Sequence, residues 1–334
     1  MIVCKFGGTS TLSYKSMCCI KKIAQNKKRQ VLIFSAVGKC KKNDKKLTDI
    51  LIEFTKEKNI DKYYKIISKK FKNLAKILDK ENEINKIIIN YLNKFISDGD
   101  RDYLISRGEY LTAYLMSLFL NIKFISAEKL LFFKDENIDY KKTKKRLNYY
   151  IKRYKQIVTC GFYGVSNNKI KLLARGGGDI TGAIFSKAIN AKTYENYTDQ
   201  DGIKQTNPTI VRNAKTIKKI GMKDCLVLTQ CDANVLHCDV CQILEDTDII
   251  VKVKNVLSPN KNYTTVDHKN HSCVFVCYKS MGDFCQIVVK TPSVDKLKKF
   301  YDSVNYLSNN YVYICTDKQN LPNFVRQIYL CIEK

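Results

Sequence analysis

Met1-Ile2-Val3-Cys4-Lys5-Phe6-Gly7-Gly8-Thr9-Ser10 opens the chain, and Gln30-Val31-Leu32-Ile33-Phe34-Ser35-Ala36 follows after a helical stretch. Met1 to Phe6 reads as a short strand buried on both faces, because its apolar run does not alternate. Gly7-Gly8-Thr9-Ser10 breaks it. Met17, Ile20 and Ile23 then recur at helical spacing. Gln30 to Ala36 is a second buried strand that again ends in small residues. Strand, glycine turn, helix, strand is the opening of an α/β domain with a parallel sheet.

Further along, residues 48–97 read as helical, Gly108 to Leu120 as a helix and Lys123 to Ser126 as a strand. Gln156 to Phe162 reads as a strand, Arg175 to Asp179 as a loop, Ile180 to Ile189 as a helix and Lys192 to Tyr197 as a strand. After Pro208 come a helix around Met222–Gln230 and a strand from Ile249 to Asn255. Residues 260–270 are polar without strong periodicity, and we place a boundary there. The tail reads as strand (273–278), strand (284–289), helix (294–307), strand (311–316) and helix (320–332), a small α+β unit.

The 334 residues suffice for two domains, and 45% are hydrophobic, enough for a sizeable core. The net charge of +27 comes mostly from lysines spread along the chain among Asn, Ile and Tyr, as an AT-rich genome would produce. Nucleic-acid readers concentrate Arg in a patch, so no nucleic-acid partner is expected. The 14 cysteines lie largely in apolar runs of a chain too large for a secreted disulfide framework. They read as free thiols in a reducing compartment. No run of ~18 apolar residues is present, so no membrane partner is expected and a cytoplasmic location is.

Two glycine turns carry the chemistry. Gly7 and Gly8 let the backbone approach an anion, the following helix offers its N-terminus, and Lys5 adds a full charge where a phosphoryl group could transfer. The P-loop spacing is absent, and a tight βα turn accounts for Lys5-Phe6-Gly7-Gly8 equally well. Gly176-Gly177-Gly178 between Arg175 and Asp179 is harder to justify by packing alone, since each glycine costs backbone entropy. Arg175 could hold a carboxylate and Asp179 an ammonium. Tyr197-Thr198-Asp199-Gln200-Asp201-Gly202 follows a strand; it is either a solvated turn or a nucleotide contact. Cys225, Cys231, His237, Cys238 and Cys241 crowd one segment, but no second C-x₂-C appears, and small core residues explain them better than zinc.

Together these stretches resemble the amino acid kinase family, and within it the aspartate kinases. Lys5 to Ser10 matches the KFGGTS start. Ser35-Ala36-Val37-Gly38-Lys39 with Leu47-Thr48-Asp49 resembles SAxGK…TD, and Ser106 to Leu111 resembles SxGEYL. Arg175 to Thr181 resembles RGGSDxT, Tyr197 to Gly202 resembles WTDVDG, and Val235-Leu236-His237 with Lys254-Asn255 resembles VLH…RVKNT.

The resemblance implies an α/β/α sandwich with a mostly parallel central sheet over residues 1–259 and a reduced ACT-like α+β domain over 270–334. It implies ATP-dependent phosphorylation of the L-aspartate β-carboxylate, the first step toward lysine, threonine and methionine, with Mg²⁺ carried on ATP and no resident metal. Lys5 would stabilise the transferring group. Phe6, Gly7, Gly8, Gly176, Gly177, Thr198 and Asp199 would line the nucleotide, Gly7 and Gly8 through their N–H groups. Glu109 would bind the substrate ammonium, Arg175 its α-carboxylate, and Ser35 and Thr48 the acceptor carboxylate, with Asp179 organising the site. A homodimer and an amino-acid feedback effector are further implied partners. The alternatives are a glutamate kinase and a non-catalytic paralogue that binds amino acid or nucleotide.

The chain departs from the family pattern at Gly178 (Ser), Tyr197 (Trp), Thr209 (the Arg of DPR) and Asp232 (Gly), with Lys204 a candidate replacement for the missing arginine.

Overall fold

The computed structural model describes residues 1–39, 44–174, 176–231, 235–308 and 311–333. Arg175 and Asp232 therefore lie outside the described residues. The chain divides into two compact units, Met1–Asp199 and Gln200–Lys334.

The first unit runs β1 (Ile2–Phe6), α1 (Tyr14–Ala24), β2 (Arg29–Phe34), α2 (Leu47–Glu57), α3 (Ile60–Leu78), α4 (Glu81–Asp98), α5 (Arg101–Leu120) and β3 (Lys123–Phe124). Then come the hairpin β4 (Phe133–Lys134) and β5 (Asn137–Ile138), α6 (Tyr140–Tyr154), β6 (Ile157–Cys160), the hairpin β7 (Tyr163–Ser166) and β8 (Lys169–Leu172), α7 (Gly177–Ala188) and β9 (Thr193–Thr198). Its central strands lie in the order β9-β1-β2-β6-β3, all parallel.

Val3, Cys4, Phe6 and Val31 to Phe34 are fully buried, as strands covered on both faces require. One face of β1 carries Cys4 and Phe6, the latter stacked between Phe34 (5.0 Å) and Tyr197 (4.9 Å). The other face carries Lys5, in register with Ile33 and Asn196.

Several expectations change. Residues 48–97 form three helices, because Lys58 and Asp79 end α2 and α3 in the left-handed region. Gly108 does not start its helix. Asp100 caps α5 by accepting from the Tyr103 N–H, and Gly108 sits mid-helix. The glycine run is not a loop throughout: Gly177, Gly178 and Asp179 form the first turn of α7. Periodicity gave no sign of α6 or of the two hairpins.

The second unit contains β10 (Lys219–Gly221), α8 (Met222–Gln230), α9 (Cys238–Leu244), β11 (Ile250–Asn255) and β12 (Thr264–Asp267), with β12 parallel to β10 and antiparallel to β11. The polar stretch at 260–270 thus contains a strand, with Thr264 and Val266 buried. Next come β13 (Phe275–Met281), β14 (Phe284–Lys290), a 3₁₀ segment (Val294–Ser303), β15 (Val304–Ser308), β16 (Tyr311–Asp317) and α10 (Leu321–Glu333). These strands form an antiparallel sheet in the order β13-β14-β16-β15. Val276, Ile287, Ile314, Val325 and Ile328 belong to its core. The helix expected over 294–307 is a 3₁₀ segment to Ser303 and gives way to β15 from Val304. No helix among the described residues is long and apolar enough to cross a membrane.

Candidate active site

Strand β1 delivers Lys5 to the face on which α7 packs. The Lys5 ammonium lies 2.7 Å from the Asp179 carboxylate, and both side chains are 13% exposed. Asp179 is placed by the first turn of α7, and the Tyr194 hydroxyl donates to its carbonyl at 3.2 Å. Residues far apart in sequence thus form one charged pair at the sheet's carboxyl ends, where open α/β sheets bind ligands.

The first glycine turn is packed backbone to backbone. Ser35 N–H donates to the Phe6 carbonyl (3.1 Å) and Gly38 N–H to the Gly8 carbonyl (3.0 Å). A Cβ on Gly8 would stand 2.1 Å from the Ala36 oxygen. Gly8→Ala should therefore cost roughly 3 kcal/mol or more, since backbone cannot rotate away, and the urea midpoint of the variant reads this directly. Gly7 differs from expectation: its N–H already donates to the Tyr197 carbonyl at 3.0 Å. The N–H of Gly8, by contrast, has no hydrogen-bond partner among the described residues.

The second turn is equally tight. Gly176 has φ +90°, which only glycine adopts without strain. A Cβ on Gly177 would meet the Phe162 ring at 2.6 Å. Phe162 itself holds φ +74°, a strained conformation for a bulky residue, fixed where its N–H donates to Thr181 Oγ1 at 3.0 Å. At Gly178 a Cβ would stand 2.4 Å from Ser35 Oγ and 3.3 Å from Lys5 Cε. The departure to glycine therefore makes room for Ser35 and Lys5, whose side chains pack against this turn.

Glu109 is 6% exposed on α5. Burial pushes its carboxyl up to about 7; backbone hydrogen bonds from Ala36 and Gly161 and the Lys5 charge pull against that, and the Asp179 charge adds to it. Its Oε2 is buried without a hydrogen-bond partner among the described residues. Next to it, Arg107 anchors the helix: its guanidinium lies 2.6 Å from Glu128 and 4.3 and 4.6 Å from the Tyr103 and Tyr110 ring centroids. Thr48 stands in the first turn of α2, beside Leu47, whose side chain fills the space a Cβ on Gly108 would take. Thr198 is half-buried and donates to the exposed Asp199 at 3.3 Å, both at the end of β9.

In the second unit, Asp201 continues the same turn and accepts from Asn255 Nδ2 at 2.8 Å, so two of the quoted motifs meet there. Lys204 Nζ donates to Thr216 Oγ1 (2.9 Å), and the Thr209 N–H donates to Asn207 Oδ1 at 2.9 Å, so Asn207 caps that turn. Among the described residues the group with metal-ligand spacing is His237, Cys238 and Asp239, three consecutive side chains rather than the five-residue cluster weighed above. Every described cysteine is free. Sequence reading did not single out Asn196, which is fully buried in register with Lys5; its one signal was an amide inside a buried strand.

A model of the amino acid kinase family matches residues 1–255. The aspartokinase of Rickettsia prowazekii is 32% identical over 192 residues, 54% of this chain and 43% of that protein. Aspartokinase 3 of Bacillus subtilis is 26% identical over 313 residues, 86% of this chain and 69% of that protein. The chain spans about half the length of the first curated relatives it matches. Among solved structures, Clostridium acetobutylicum aspartate kinase aligns with a TM-score of 0.84 at 22% identity, covering 99% of this chain and 100% of that one. Escherichia coli aspartokinase III, solved with aspartate and ADP, aligns with a TM-score of 0.72 at 20% identity over 95% of this chain and 79% of that one. At these identities the structural likeness speaks to the fold.

Proposed function

This chain belongs to the amino acid kinase family, and on that premise we propose that it is an aspartate kinase, transferring the γ-phosphoryl group of ATP to the β-carboxylate of L-aspartate. The observation that carries the reading is the pairing of two half-sites around Lys5. One is the Gly8 turn with its open N–H. The other is the buried Oε2 of Glu109, which has no hydrogen-bond partner among the described residues. The relatives named as aspartokinases support the same acceptor.

A carboxylate oxygen of aspartate attacks the γ-phosphorus, and the bond to the β,γ-bridging oxygen breaks. The products are ADP and 4-phospho-L-aspartate. No general base is needed, because the β-carboxylate is already ionised at neutral pH. Positioning and charge neutralisation do the work. Lys5 neutralises charge developing on the transferring group. Glu109 takes the substrate ammonium and Arg175 its α-carboxylate, while Ser35 and Thr48 bond the acceptor carboxylate. Thr198 and Asp199 contact the nucleotide. Mg²⁺ arrives on the ATP phosphates with water in its shell. The His237, Cys238 and Asp239 group offers nitrogen and thiol donors that do not suit it.

Residues 1–259 form the catalytic domain in this reading, and 270–334 a reduced ACT-like domain, for which the four-stranded antiparallel sheet with α10 is suitable. A cytoplasmic homodimer with an amino-acid feedback effector completes the proposal.

The test gives purified protein ATP, Mg²⁺ and hydroxylamine with L-aspartate or L-glutamate. Hydroxamate with aspartate alone is the expected result. Hydroxamate with glutamate alone would make it a glutamate kinase. None with either, alongside measurable ATP binding, would make it a non-catalytic binder.

A further inference from the structure

Resting on the kinase reading above, we propose that Asn196 is a further substrate contact: its carboxamide Nδ2 donates a hydrogen bond to a phosphate oxygen of the nucleotide beside Lys5. Asn196 pairs with Lys5 in the parallel β1–β9 register, so both side chains leave the same face of the sheet. Tyr194, two residues earlier on that face, reaches the Asp179 carbonyl in the first turn of α7. The amide therefore stands between the Lys5–Asp179 pair and the end of β9.

Asn196 is fully buried, yet neither Nδ2 nor Oδ1 has a hydrogen-bond partner among the described residues. Such an amide costs stability on both counts, whereas a branched aliphatic residue would suit the strand. On the opposite face the neighbouring Glu195 is bonded by Arg29 Nε at 2.6 Å and the Tyr197 hydroxyl at 2.9 Å. An orphan beside a well-satisfied neighbour marks a group whose partner arrives from outside.

The chemistry of the surroundings selects that partner. Lys5 supplies positive charge alongside, and the Gly176–Gly178 turn starts a twelve-residue helix whose N-terminus favours an anion. A neutral donor in that setting suits a phosphate oxygen. Lys5 and Asp179 are each 13% exposed, so this pair is the approach to the amide. A phosphate that draws the Lys5 ammonium away from Asp179 enters next to Asn196.

The test compares the full chain with Asn196→Leu, which keeps the branched heavy-atom outline, at a somewhat larger volume, and removes both hydrogen-bonding groups. Calorimetric binding of Mg²⁺–ADP and thermal melts are read together. The expected result is a higher Tm without ligand and an ADP affinity about tenfold or more weaker, the value of one hydrogen bond to a charged group. A merely structural amide would instead lower Tm and leave affinity unchanged, and unchanged affinity overturns the assignment whatever Tm does. Should Leu prove too bulky to fold, Asn196→Val is smaller, favours a strand and is read in the same way. If the unaltered chain binds no Mg²⁺–ADP, the kinase reading itself falls. That outcome is distinct from a variant that matches a binding-competent parent.

Discussion

Lys5→Ala should lower kcat for aspartyl hydroxamate formation on the order of 10³-fold, with a much smaller change in the KM for aspartate. The ammonium lies on the sheet face where the two glycine turns approach it, and it stands 2.7 Å from Asp179. Its effect is greatest where negative charge moves onto the leaving and transferring oxygens, so the loss belongs in kcat. The substitution also strips Asp179 of its ion partner in a largely buried position, which costs stability by itself. Pairing Lys5→Ala with Asp179→Asn separates the two effects. The double variant should recover thermal stability and remain inactive. A Lys5→Ala protein with kcat within threefold of the parent would remove Lys5 from the reaction.

Glu109 yields the second large effect, and it depends on pH. Burial raises its carboxyl from the ordinary 4.5 to about 7 in the unliganded protein. A protonated Glu109 is neutral and cannot pair with the aspartate ammonium. Aspartate binding below pH 7 must therefore release a proton, and kcat/KM for aspartate should rise with pH and level off near 7. Calorimetry at pH 6 in buffers of different ionisation enthalpy should detect that proton. Glu109→Gln keeps the shape and removes the charge. It should weaken aspartate binding on the order of 100-fold, as expected for losing a buried charge-assisted bond, and should flatten the acid limb. A limb that persists in Glu109→Gln would assign it to another group.

The same carboxyl makes stability fall with pH. Between 4.5 and about 7 the unfolded chain has released this proton while the folded chain retains it. The unfolded state then binds fewer protons, so unfolding becomes easier as pH rises through that window. At 1.36 kcal/mol per pH unit the gap amounts to about 3 kcal/mol, an order-of-magnitude figure. Glu109→Gln should lack this slope, and aspartate should suppress it in the parent chain.

Much of the candidate site was legible because its signals are local. The Lys5-Phe6-Gly7-Gly8 turn, the glycine run ahead of Asp179 and the Ser106–Glu109 stretch are short patterns. Their residue types are dictated by backbone approach and charge at one place in the chain. The start of α5 was misread because the cap at Asp100 lies a full turn and more before the motif that drew attention. The strand in 260–270 was misread because Thr264 and Val266 are buried by pairing with partners distant in sequence, which local polarity conceals. Of the two glycine N–H groups expected to face a phosphate, that of Gly7 is taken by a carbonyl of β9, a contact that local sequence does not reveal.

By itself the sequence determined the strand–turn–helix–strand opening, the parallel α/β class and the two glycine turns, since periodicity and glycine placement act over a few residues. Tertiary structure decided what those turns contain. Packing brings Lys5 to Asp179, keeps Glu109 from water so that it holds its proton to about 7, and leaves the Asn196 amide buried in register with the lysine, without a partner among the described residues. Each of these depends on distance and burial between residues far apart in the chain. Charge pairing, desolvation and hydrogen-bond satisfaction are set only when the whole sheet and its helices close around them.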